Sequence, residues 1–378
     1  MTELVVLSLE VWDAVWRRNQ HLVAGLLRRD PSLRVLFVEP AADPLHALAS
    51  GRSPGRGRGL RREPTTERLW LLEPTKWLPR RTDPGADRRL ADVVRRAARR
   101  LGMGHPVLWV NDPAGAAVLA LTGWPALYDV TDDWVAARRT PAEHDRLLRD
   151  EGVLLDRCAE VVVCSPHLAR TKGAVRPVTL VPNAVDTAGY TGPVARPADL
   201  PPAPVAVYVG TVHRDRIDVE LCAEVARALG PGGLALVGPA PLPPADLDLL
   251  THAGAVLLGP RDRRDVPAYL RHADVLVVPH VVDDFTDSLD PIKLYEYAAA
   301  RRPVVSTPVA GFRDSTDPLV TVTDRDGFAR AVLATTEAVR VVDPWGHSPC
   351  DGVALGVPTW RERTEQMAEV VARVAGGS

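Results

Sequence analysis

Residues 290–307 read Asp-Pro-Ile-Lys-Leu-Tyr-Glu-Tyr-Ala-Ala-Ala-Arg-Arg-Pro-Val-Val-Ser-Thr, and this stretch decides the fold. The pattern predicts a helix over Pro291–Ala300, with Asp290 as its N-cap and proline at the first helical position. A short apolar strand over Val304–Ser306 follows almost at once. A helix that runs directly into a buried strand is the repeating unit of an open parallel α/β sheet, so we expect that architecture.

The same alternation of strands and helices extends outward along the chain. Strands are predicted at Leu4–Ser8, Arg34–Val38, Val107–Val110, Ala126–Val130, Glu160–Cys164, Val205–Val209, Leu234–Val237, Ala255–Leu258 and Val275–Val278. Helices are predicted at Trp16–Arg29, Pro141–Cys158, Asp218–Leu229, Ala245–His252, Val266–Arg271 and Thr359–Val374. The glycine-rich residues 51–62 are predicted to form an irregular loop.

A proline-rich break divides this alternation into two series. Residues 186–204 hold five prolines and little apolar periodicity, as is typical of an interdomain linker. The length of 378 residues also exceeds one ordinary core. We therefore expect a first domain over 1–186, a linker over 187–204, a second domain over 205–345, and a helical segment over 346–378 that packs back toward the first domain.

Composition excludes several classes of protein. Hydrophobic residues make up 46% of the chain and the net charge is −2, which predicts a globular protein without a nucleic-acid partner. The four cysteines form no C-x-x-C pair, so a zinc site or disulfide framework is not expected and a cytoplasmic location is. No signal peptide and no apolar run of the ~20 residues that a membrane span needs is evident.

The usual enzyme motifs of α/β proteins are also missing. Leu-Glu-Val-Trp-Asp follows the first strand where a dinucleotide-binding protein has glycines, and only Gly210 follows Val205–Val209. Walker, H-E-x-x-H and G-x-S-x-G motifs do not occur. Nicotinamide, P-loop, zinc-peptidase and serine-hydrolase chemistry therefore lose their sequence support.

The predicted helix at Pro291–Ala300 has one polar face. Lys293, Glu296 and Tyr297 are spaced i, i+3, i+4. Free amides at a helix N-terminus suit a phosphate, an ammonium in the first turn reinforces them, and a carboxylate accepts hydrogen bonds from ribose hydroxyls. By spacing alone, an ordinary amphipathic helix with a surface Lys–Glu pair explains the same residues.

The surrounding motifs, in their order, resemble the GT-B glycosyltransferases, especially the large retaining family and transferases of bacterial cell-wall and exopolysaccharide assembly. Besides 290–307, the resemblance is carried by Val181-Pro-Asn-Ala-Val-Asp186, Val207-Tyr-Val-Gly-Thr211, Leu236-Val-Gly-Pro239, Leu258-Gly-Pro-Arg261 and Val266–Pro279. It implies two Rossmann-like parallel-sheet domains that face a cleft, and transfer of a sugar from a nucleoside diphosphate-sugar to a hydroxyl acceptor. The alternative is a non-catalytic, glycosyltransferase-like protein that binds nucleotide or glycan.

The resemblance also implies a donor site in the second half. Glu296 would hold the ribose, and Lys293 with the backbone of Ser288 and Leu289 would hold the diphosphate. The loop after Val205–Val209 would supply Gly210, Thr211, His213 and an arginine clamp from Arg214 or Arg216, and Arg261 would lie near the base. In a chain with 43 arginines among its 46 basic residues, solvated surface arginines are the alternative. Lys293 would also stabilise the departing diphosphate.

Two positions depart from the pattern of that family. Ser288 stands where many members carry a second glutamate, near the transferred sugar, and this supports the non-catalytic alternative. Arg301-Arg302 replaces the glycine before Pro-Val-Val, which we interpret as a structural difference. No cofactor and no metal are expected, because the only acidic pair near the donor motif, Asp283-Asp284, is not a D-x-D cluster.

The first half offers candidates for the acceptor side. Asp132 and Asp133 follow a predicted strand and are candidate general bases, with an acidic helix start as the alternative. Asn111 and Asp112 leave another strand end, where an Asx turn before proline is the alternative. Residues 51–100 hold 15 Arg or Lys against 6 Asp or Glu, so we also expect peripheral contact with an anionic membrane at its inner face.

Overall fold

The structure is a computed structural model that describes residues 2–49, 53–78, 80, 82–137, 139–342 and 356–377. The chain divides into two compact units. Unit 1 comprises Met1–Pro182 and Arg361–Ser378, and unit 2 comprises Asn183–Trp360. Residues 187–204 thus count with unit 2, and residues 346–355 of the expected C-terminal segment lie outside the described residues.

Unit 1 is built on an eight-stranded sheet. Its strands are β1 Glu3–Leu7, β2 Arg34–Val38, β3 Gly59–Arg62, β4 Leu69–Glu73, β5 Val107–Val110, β6 Ala126–Val130, β7 Glu160–Val163 and β8 Thr179–Leu180, in the order β3-β4-β2-β1-β5-β6-β7-β8. Its helices are α1 Arg18–Arg29, α2 Pro44–Ala49, α3 Ala86–Arg100, α4 Ala116–Thr122, α5 Pro141–Arg157 and α6 Pro166–Gly173. Continuous apolar runs such as β5, buried at every position, form the centre of the sheet, as parallel strands covered on both faces require.

The prediction of an irregular loop over 51–62 is wrong at its end, because Gly59–Arg62 forms the edge strand β3. This strand pairs antiparallel with β4, with Gly59 opposite Glu73. Gly57 explains the approach, since a Cβ there would lie 2.4 Å from the carbonyl oxygens of Glu73 and Pro74. Arg58 then joins the two segments through an ion pair of 2.6 Å with Glu73. Glycine here permits strand pairing rather than preventing it.

Unit 2 is built on a six-stranded parallel sheet. Its strands are β9 Ala206–Val209, β10 Leu234–Val237, β11 Val256–Gly259, β12 Val275–Val278, β13 Val304–Ser306 and β14 Val320–Val322, in the order β11-β10-β9-β12-β13-β14. Its helices are α7 Val219–Leu229, α8 Pro244–His252, α9 Val266–Arg271, α10 Asp284–Asp287, α11 Ile292–Ala300 and α12 Arg325–Val342. The final helix, α13 Trp360–Gly376, belongs to unit 1 from Arg361 onward.

Glycines mark the carboxyl ends of three neighbouring strands of unit 2. Gly210, Gly238 and Gly259 follow or end β9, β10 and β11, and their φ angles are 142°, 140° and 72°. A Cβ on Gly238 would lie 2.2 Å from the carbonyl oxygen of Gly210. Side chains rarely adopt these φ values, so this edge of the sheet is lined by bare backbone. In open α/β sheets, ligands bind at this edge.

Candidate functional site

Lys293 lies at the glycine-lined edge of unit 2. It stands in the first turn of α11, and its Nζ lies 4.9 Å from the centre of the Tyr208 ring. A Cβ on Gly210 would meet this Nζ at 2.6 Å. The missing side chain at Gly210 therefore makes the space in which the ammonium group sits, directly beyond the end of β9.

The ammonium group of Lys293 has no hydrogen-bond acceptor or ion-pair partner closer than 4 Å among the described residues. Burial and the nearby Arg216 lower the pKa of Lys293 to about 8, while Glu296 acts in the opposite direction. The group is thus a half-buried cation whose charge is only partly compensated within the protein. Such a cation favours an anionic ligand.

Glu296 lies one turn further along α11 and is also half-buried. Burial raises the pKa of its carboxyl group, and Lys293 opposes that shift. No hydrogen-bond donor contacts this carboxylate among the described residues. A carboxylate that is partly shielded from water and lacks a donor is well placed to accept hydrogen bonds from hydroxyl groups of a ligand.

Asp290 does not cap α11, so that prediction is wrong. The structure makes Pro291 the N-cap, without a capping side chain. The carboxylate of Asp290 instead accepts hydrogen bonds from the hydroxyl of Tyr295 at 2.8 Å and from the backbone amide of Asn183. Because the Asp290 carboxylate bonds to Tyr295 and Asn183, it does not compete with an anion for the first amides of α11. Within the described part of the chain, the amides of Ile292 and Lys293 have no acceptor.

Ser288 and Leu289 do not offer free amides. The amide of Ser288 donates to the carbonyl of Phe285 at 3.1 Å, and that of Leu289 donates to the carbonyl of Thr286 at 3.3 Å. The Ser288 side chain is fully buried, and its hydroxyl donates to the Phe285 carbonyl at 2.7 Å. Both residues complete the turn after α10. The backbone amides available to an anion are therefore those in the first turn of α11, not those of Ser288 and Leu289.

The loop after β9 separates its two candidate arginines. Arg214 is held by Asp246 at 2.6 Å and by Glu220 at 2.9 Å, so both sides of its guanidinium are occupied. Arg216 lies 5.9 Å from the centre of the Phe285 ring and close enough to Lys293 to lower its pKa. The structure therefore favours Arg216 over Arg214 as the arginine of the site.

The other predicted residues of unit 2 are engaged locally. The ring of His213 accepts a hydrogen bond from the backbone amide of Asp215 at 3.1 Å, and the Thr211 carbonyl accepts one from the Tyr208 hydroxyl at 3.4 Å. Arg261, beyond the end of β11, donates to the hydroxyl of Tyr269 at 2.8 Å and pairs with Asp199. Arg261 thus stands at the edge of the sheet but with its guanidinium fixed.

Sequence reasoning missed His280. It follows β12, is 4% exposed, and its Nε2 lies 3.4 Å from the hydroxyl of Tyr208, whose ring packs against Lys293. Burial, with Lys293 and Arg216 nearby, lowers the pKa of His280 well below its usual value, so its ring is neutral at pH 7. The only sequence signal was its place just beyond a strand end. The neutral ring of His280 adds no further positive charge beside the Lys293 ammonium.

In unit 1, the two aspartates after β6 differ in environment. The carboxylate of Asp133 lies 3.2 Å from the ammonium of Lys172, which also pairs with Glu151 at 2.5 Å. Asp132 accepts a hydrogen bond from the hydroxyl of Thr131 at 3.2 Å and is partly exposed. Because Lys172 is largely buried with two carboxylates, Asp133 is a member of an internal ion-pair cluster. Asp132 is the better candidate for contact with a ligand.

Asn111 and Asp112 have structural partners. Asn111 is buried; its amide group donates to the Asp129 carbonyl at 2.9 Å and its side-chain oxygen accepts from Asn19 at 3.0 Å. The Asp112 carboxylate accepts a hydrogen bond from the amide of Ala114 at 2.9 Å. This is the Asx turn that was the alternative interpretation of these residues. Burial raises the pKa of the Asp112 carboxyl group. Both residues therefore form hydrogen bonds that stabilise the backbone after β5.

The described residues show neither a metal-binding cluster nor a membrane-spanning helix. They contain no group of three or more His, Cys, Asp or Glu arranged to hold a metal ion. Among the helices of the described ranges, none is long and apolar enough to cross a membrane.

Part of the chain, and its fold, are similar to those of glycosyltransferases. Residues 203–337, which contain the whole Lys293 region, match the family described as Glycosyl transferases group 1. Over 60 residues the chain is 33% identical to the putative teichuronic acid biosynthesis glycosyltransferase TuaH of Bacillus subtilis (strain 168). That match spans 16% of this chain and only 15% of the length of the relative.

Solved structures match over the whole chain. Sucrose-phosphate synthase of Thermosynechococcus elongatus aligns with a TM-score of 0.73 at 17% identity over 100% of both chains. Anabaena HepE in complex with UDP aligns with a TM-score of 0.60 at 13% identity, covering 99% of this chain and 100% of that one. These similarities confirm the predicted GT-B fold and the resemblance to glycosyltransferases.

Proposed function

We propose that this protein transfers a sugar from a nucleoside diphosphate-sugar to a hydroxyl acceptor. The observation that carries the proposal is the pair of half-buried, only partly compensated charged groups on α11. The ammonium of Lys293 and the carboxylate of Glu296 lie one turn apart beside a glycine-lined strand end. A diphosphate satisfies the first and ribose hydroxyls satisfy the second. A nucleoside diphosphate carries both the diphosphate and the ribose hydroxyls. The nucleoside diphosphate-sugar is the donor, and we propose no cofactor besides it.

The donor diphosphate would lie against the first turn of α11. The amides of Ile292 and Lys293, the ammonium of Lys293 and the guanidinium of Arg216 would together neutralise the leaving group as the bond to the sugar breaks. Gly210 leaves room for the Lys293 ammonium beside the phosphates, because a Cβ there would lie 2.6 Å from the Nζ atom. Glu296 fixes the nucleoside and thereby the direction of the diphosphate.

A thermal-shift screen tests the proposal directly. A ligand that binds the folded protein raises its melting temperature by mass action, so UDP, GDP, dTDP and their sugars are compared at equal concentration. UDP is the first choice because a neighbour in structure, HepE, was solved in complex with UDP. We expect stabilisation by at least one nucleoside diphosphate and none by the matching nucleoside. No stabilisation by any of them would contradict the proposal.

Arg214 and Arg216 provide a matched pair of variants within one loop. Arg216→Ala is expected to weaken nucleoside diphosphate binding by roughly tenfold, since a charge-assisted contact is worth about 1.5–3 kcal/mol. Arg214→Ala is expected to change affinity less than twofold, because Asp246 and Glu220 already hold that guanidinium. Titration calorimetry of both variants measures the difference. Equal losses in the two variants would refute the assignment of Arg216.

Binding of the diphosphate is expected to weaken as the pH rises through about 8. The pKa of Lys293 in the folded protein is about 8, so the ammonium is mostly charged at pH 7 and mostly neutral at pH 9. Anion binding needs the charged form, and one group that titrates in this way lowers affinity by roughly three- to tenfold between those values. Lys293→Arg stays charged over this range and controls for titration of the nucleotide itself. Identical pH profiles for the two proteins would contradict the prediction.

We further propose that the configuration at the anomeric carbon is retained. In that reaction the bond from the anomeric carbon to the phosphate oxygen breaks, the acceptor oxygen bonds to the same face, and the departing phosphate takes the hydroxyl proton. No strong base of the protein is then needed, which agrees with Asp133 being ion-paired to Lys172. NMR of the freshly formed product distinguishes the two outcomes, and an inverted anomeric configuration would make Asp132 the candidate base.

A further inference from the structure

Unit 1 exposes large apolar side chains on two segments that follow one stretch of paired backbone. Leu45, Leu48, Trp77 and Leu78 are 43%, 62%, 54% and 49% exposed, and they account for four of the seven large exposed apolar residues in the described part of unit 1. Single exposed apolar residues are ordinary, whereas grouped ones mark interaction surfaces. We call Leu45, Leu48, Trp77 and Leu78 the apolar patch.

Backbone pairing brings the two halves of the apolar patch together. The amide of Ala42 donates to the carbonyl of Pro74, and the amide of Lys76 donates to the carbonyl of Ala42, both at 2.8 Å. The ammonium of Lys76 also lies 2.6 Å from the carboxylate of Asp43. The segments 45–48 and 77–78 therefore both follow closely after the same paired stretch of backbone. Leu45 and Leu48 lie three residues apart on α2 and share one side of that helix.

Basic side chains border the apolar patch. The guanidinium of Arg56 lies 4.9 Å from the centre of the Trp77 ring and has no acidic partner among the described residues. Lys76 and Arg80 are close by in sequence, each paired with one aspartate. Tryptophan with arginine above it, beside exposed leucines, is the combination that suits a bilayer interface, where the apolar parts enter and the cation meets headgroups.

The topology limits which part of the basic region 51–100 lies beside the apolar patch. Helix α3 begins after β4 and ends before β5, so it crosses from the carboxyl edge of the sheet to the amino edge. Arg99 and Arg100 in its last turn therefore lie at the edge opposite to the apolar patch. Among the described residues, Arg56, Lys76 and Arg80 are the basic residues that we associate with the patch.

The apolar patch follows the carboxyl ends of β2 and β4. Asp132 follows the carboxyl end of β6 in the same sheet, in which β4, β2, β1, β5 and β6 are parallel neighbours. Strands lie about 4.8 Å apart, so the two places are separated along this edge by roughly 20 Å. We propose that the apolar patch docks unit 1 on a bilayer that contains anionic lipid, and that the acceptor hydroxyl is presented from that bilayer. The second part of this proposal rests on the proposed function.

Vesicle co-sedimentation tests the docking. The full chain is mixed with vesicles of phosphatidylcholine alone or with about a third of phosphatidylglycerol, at 0.1 M and 0.5 M salt. We expect binding to the anionic vesicles, weaker at high salt. Leu48→Gln and Trp77→Gln should each lower the partition coefficient at least threefold, and the double variant at least tenfold. The matched controls Leu148→Gln and Val175→Gln remove apolar side chains that are 47% and 67% exposed elsewhere in unit 1, and should change it less than twofold.

The outcomes separate this proposal from the proposed function. Nucleotide binding, followed by thermal shift on the same variants, should stay within twofold of wild type. If wild type binds nucleoside diphosphate but neither kind of vesicle, or if the control variants lose as much as the patch variants, bilayer docking is wrong and the transferase proposal stands. If vesicles bind and no nucleotide does, the transferase proposal fails, the lipid-acceptor part fails with it, and the docking surface stands.

Discussion

Lys293→Met is expected to lower kcat by a factor of about 10²–10³, the usual cost of removing one group that stabilises charge developing on a leaving group. Methionine keeps the length of the lysine stem as far as its Cε atom but removes the cation, whose Nζ lies 4.9 Å from the centre of the Tyr208 ring. Steady-state kinetics with the donor identified by thermal shift measures the effect. Since the diphosphate gains charge as the sugar departs, the loss should be larger in kcat than in donor affinity.

Lys76→Met is the matched control for this experiment. The chain has only three lysines, and Lys76 is partnered by Asp43 in unit 1, far along the chain from α11. Its substitution should leave kcat within twofold when a water-soluble acceptor is used. A Lys293→Met protein that is folded and retains more than half of wild-type kcat would show that Lys293 does not act on the leaving group.

Glu296→Ala is expected to weaken nucleoside diphosphate binding at least tenfold. The carboxylate would accept hydrogen bonds from two ribose hydroxyls, and charge-assisted bonds are worth about 1.5–3 kcal/mol. Titration calorimetry with the nucleotide measures this loss. The 2′-deoxy, 3′-deoxy and 2′,3′-dideoxy nucleotides add a sharper reading. Each deoxy nucleotide should bind wild type more weakly than the parent nucleotide does. With Glu296→Ala the difference should be much smaller, because the partner of the missing hydroxyl is already gone.

Two further variants make the Glu296 experiment decisive. Glu296→Gln keeps an acceptor oxygen without the charge, so its affinity should fall between wild type and Glu296→Ala. Glu224→Ala in α7 breaks an exposed pair with Arg325, 2.8 Å apart, and should leave affinity unchanged. If all three variants bind nucleotide as wild type does, Glu296 is not the ribose partner.

The fold could be predicted from the sequence because its central strands carry their own signal. Arg34–Val38, Ala126–Val130 and Val275–Val278 are observed with the bounds that their apolar runs predict. Buried parallel strands need apolar residues on both faces, so the pattern is continuous and unambiguous. Edge strand β3 was missed for the opposite reason. Gly59–Arg62 is polar, and only the close approach that Gly57 allows brings it to β4.

The positions of the candidate donor-site residues on α11 were predictable from the sequence, but the partners of the surrounding side chains were not. Spacing on one helix face is visible in the sequence, which is how Lys293 and Glu296 were found. The hydrogen bonds of Asp290, and the occupation of Arg214 by Asp246 from 32 residues away, depend on tertiary packing and have no local pattern. His280 gave no motif either, since a single histidine beyond a strand has many roles.

Gly210, Gly238 and Gly259 have a consequence for how such a protein diversifies. A carbon added at Gly238 would lie 2.2 Å from the Gly210 carbonyl oxygen, and the positive φ angles strain a side chain at all three positions. A surface of main-chain atoms is the same for every sugar nucleotide. In the proposed transferase, a change of donor would therefore require changes in side chains of other segments, such as α11 and the loop after β9. The strand ends form a constant platform, and substrate range evolves in the segments around it.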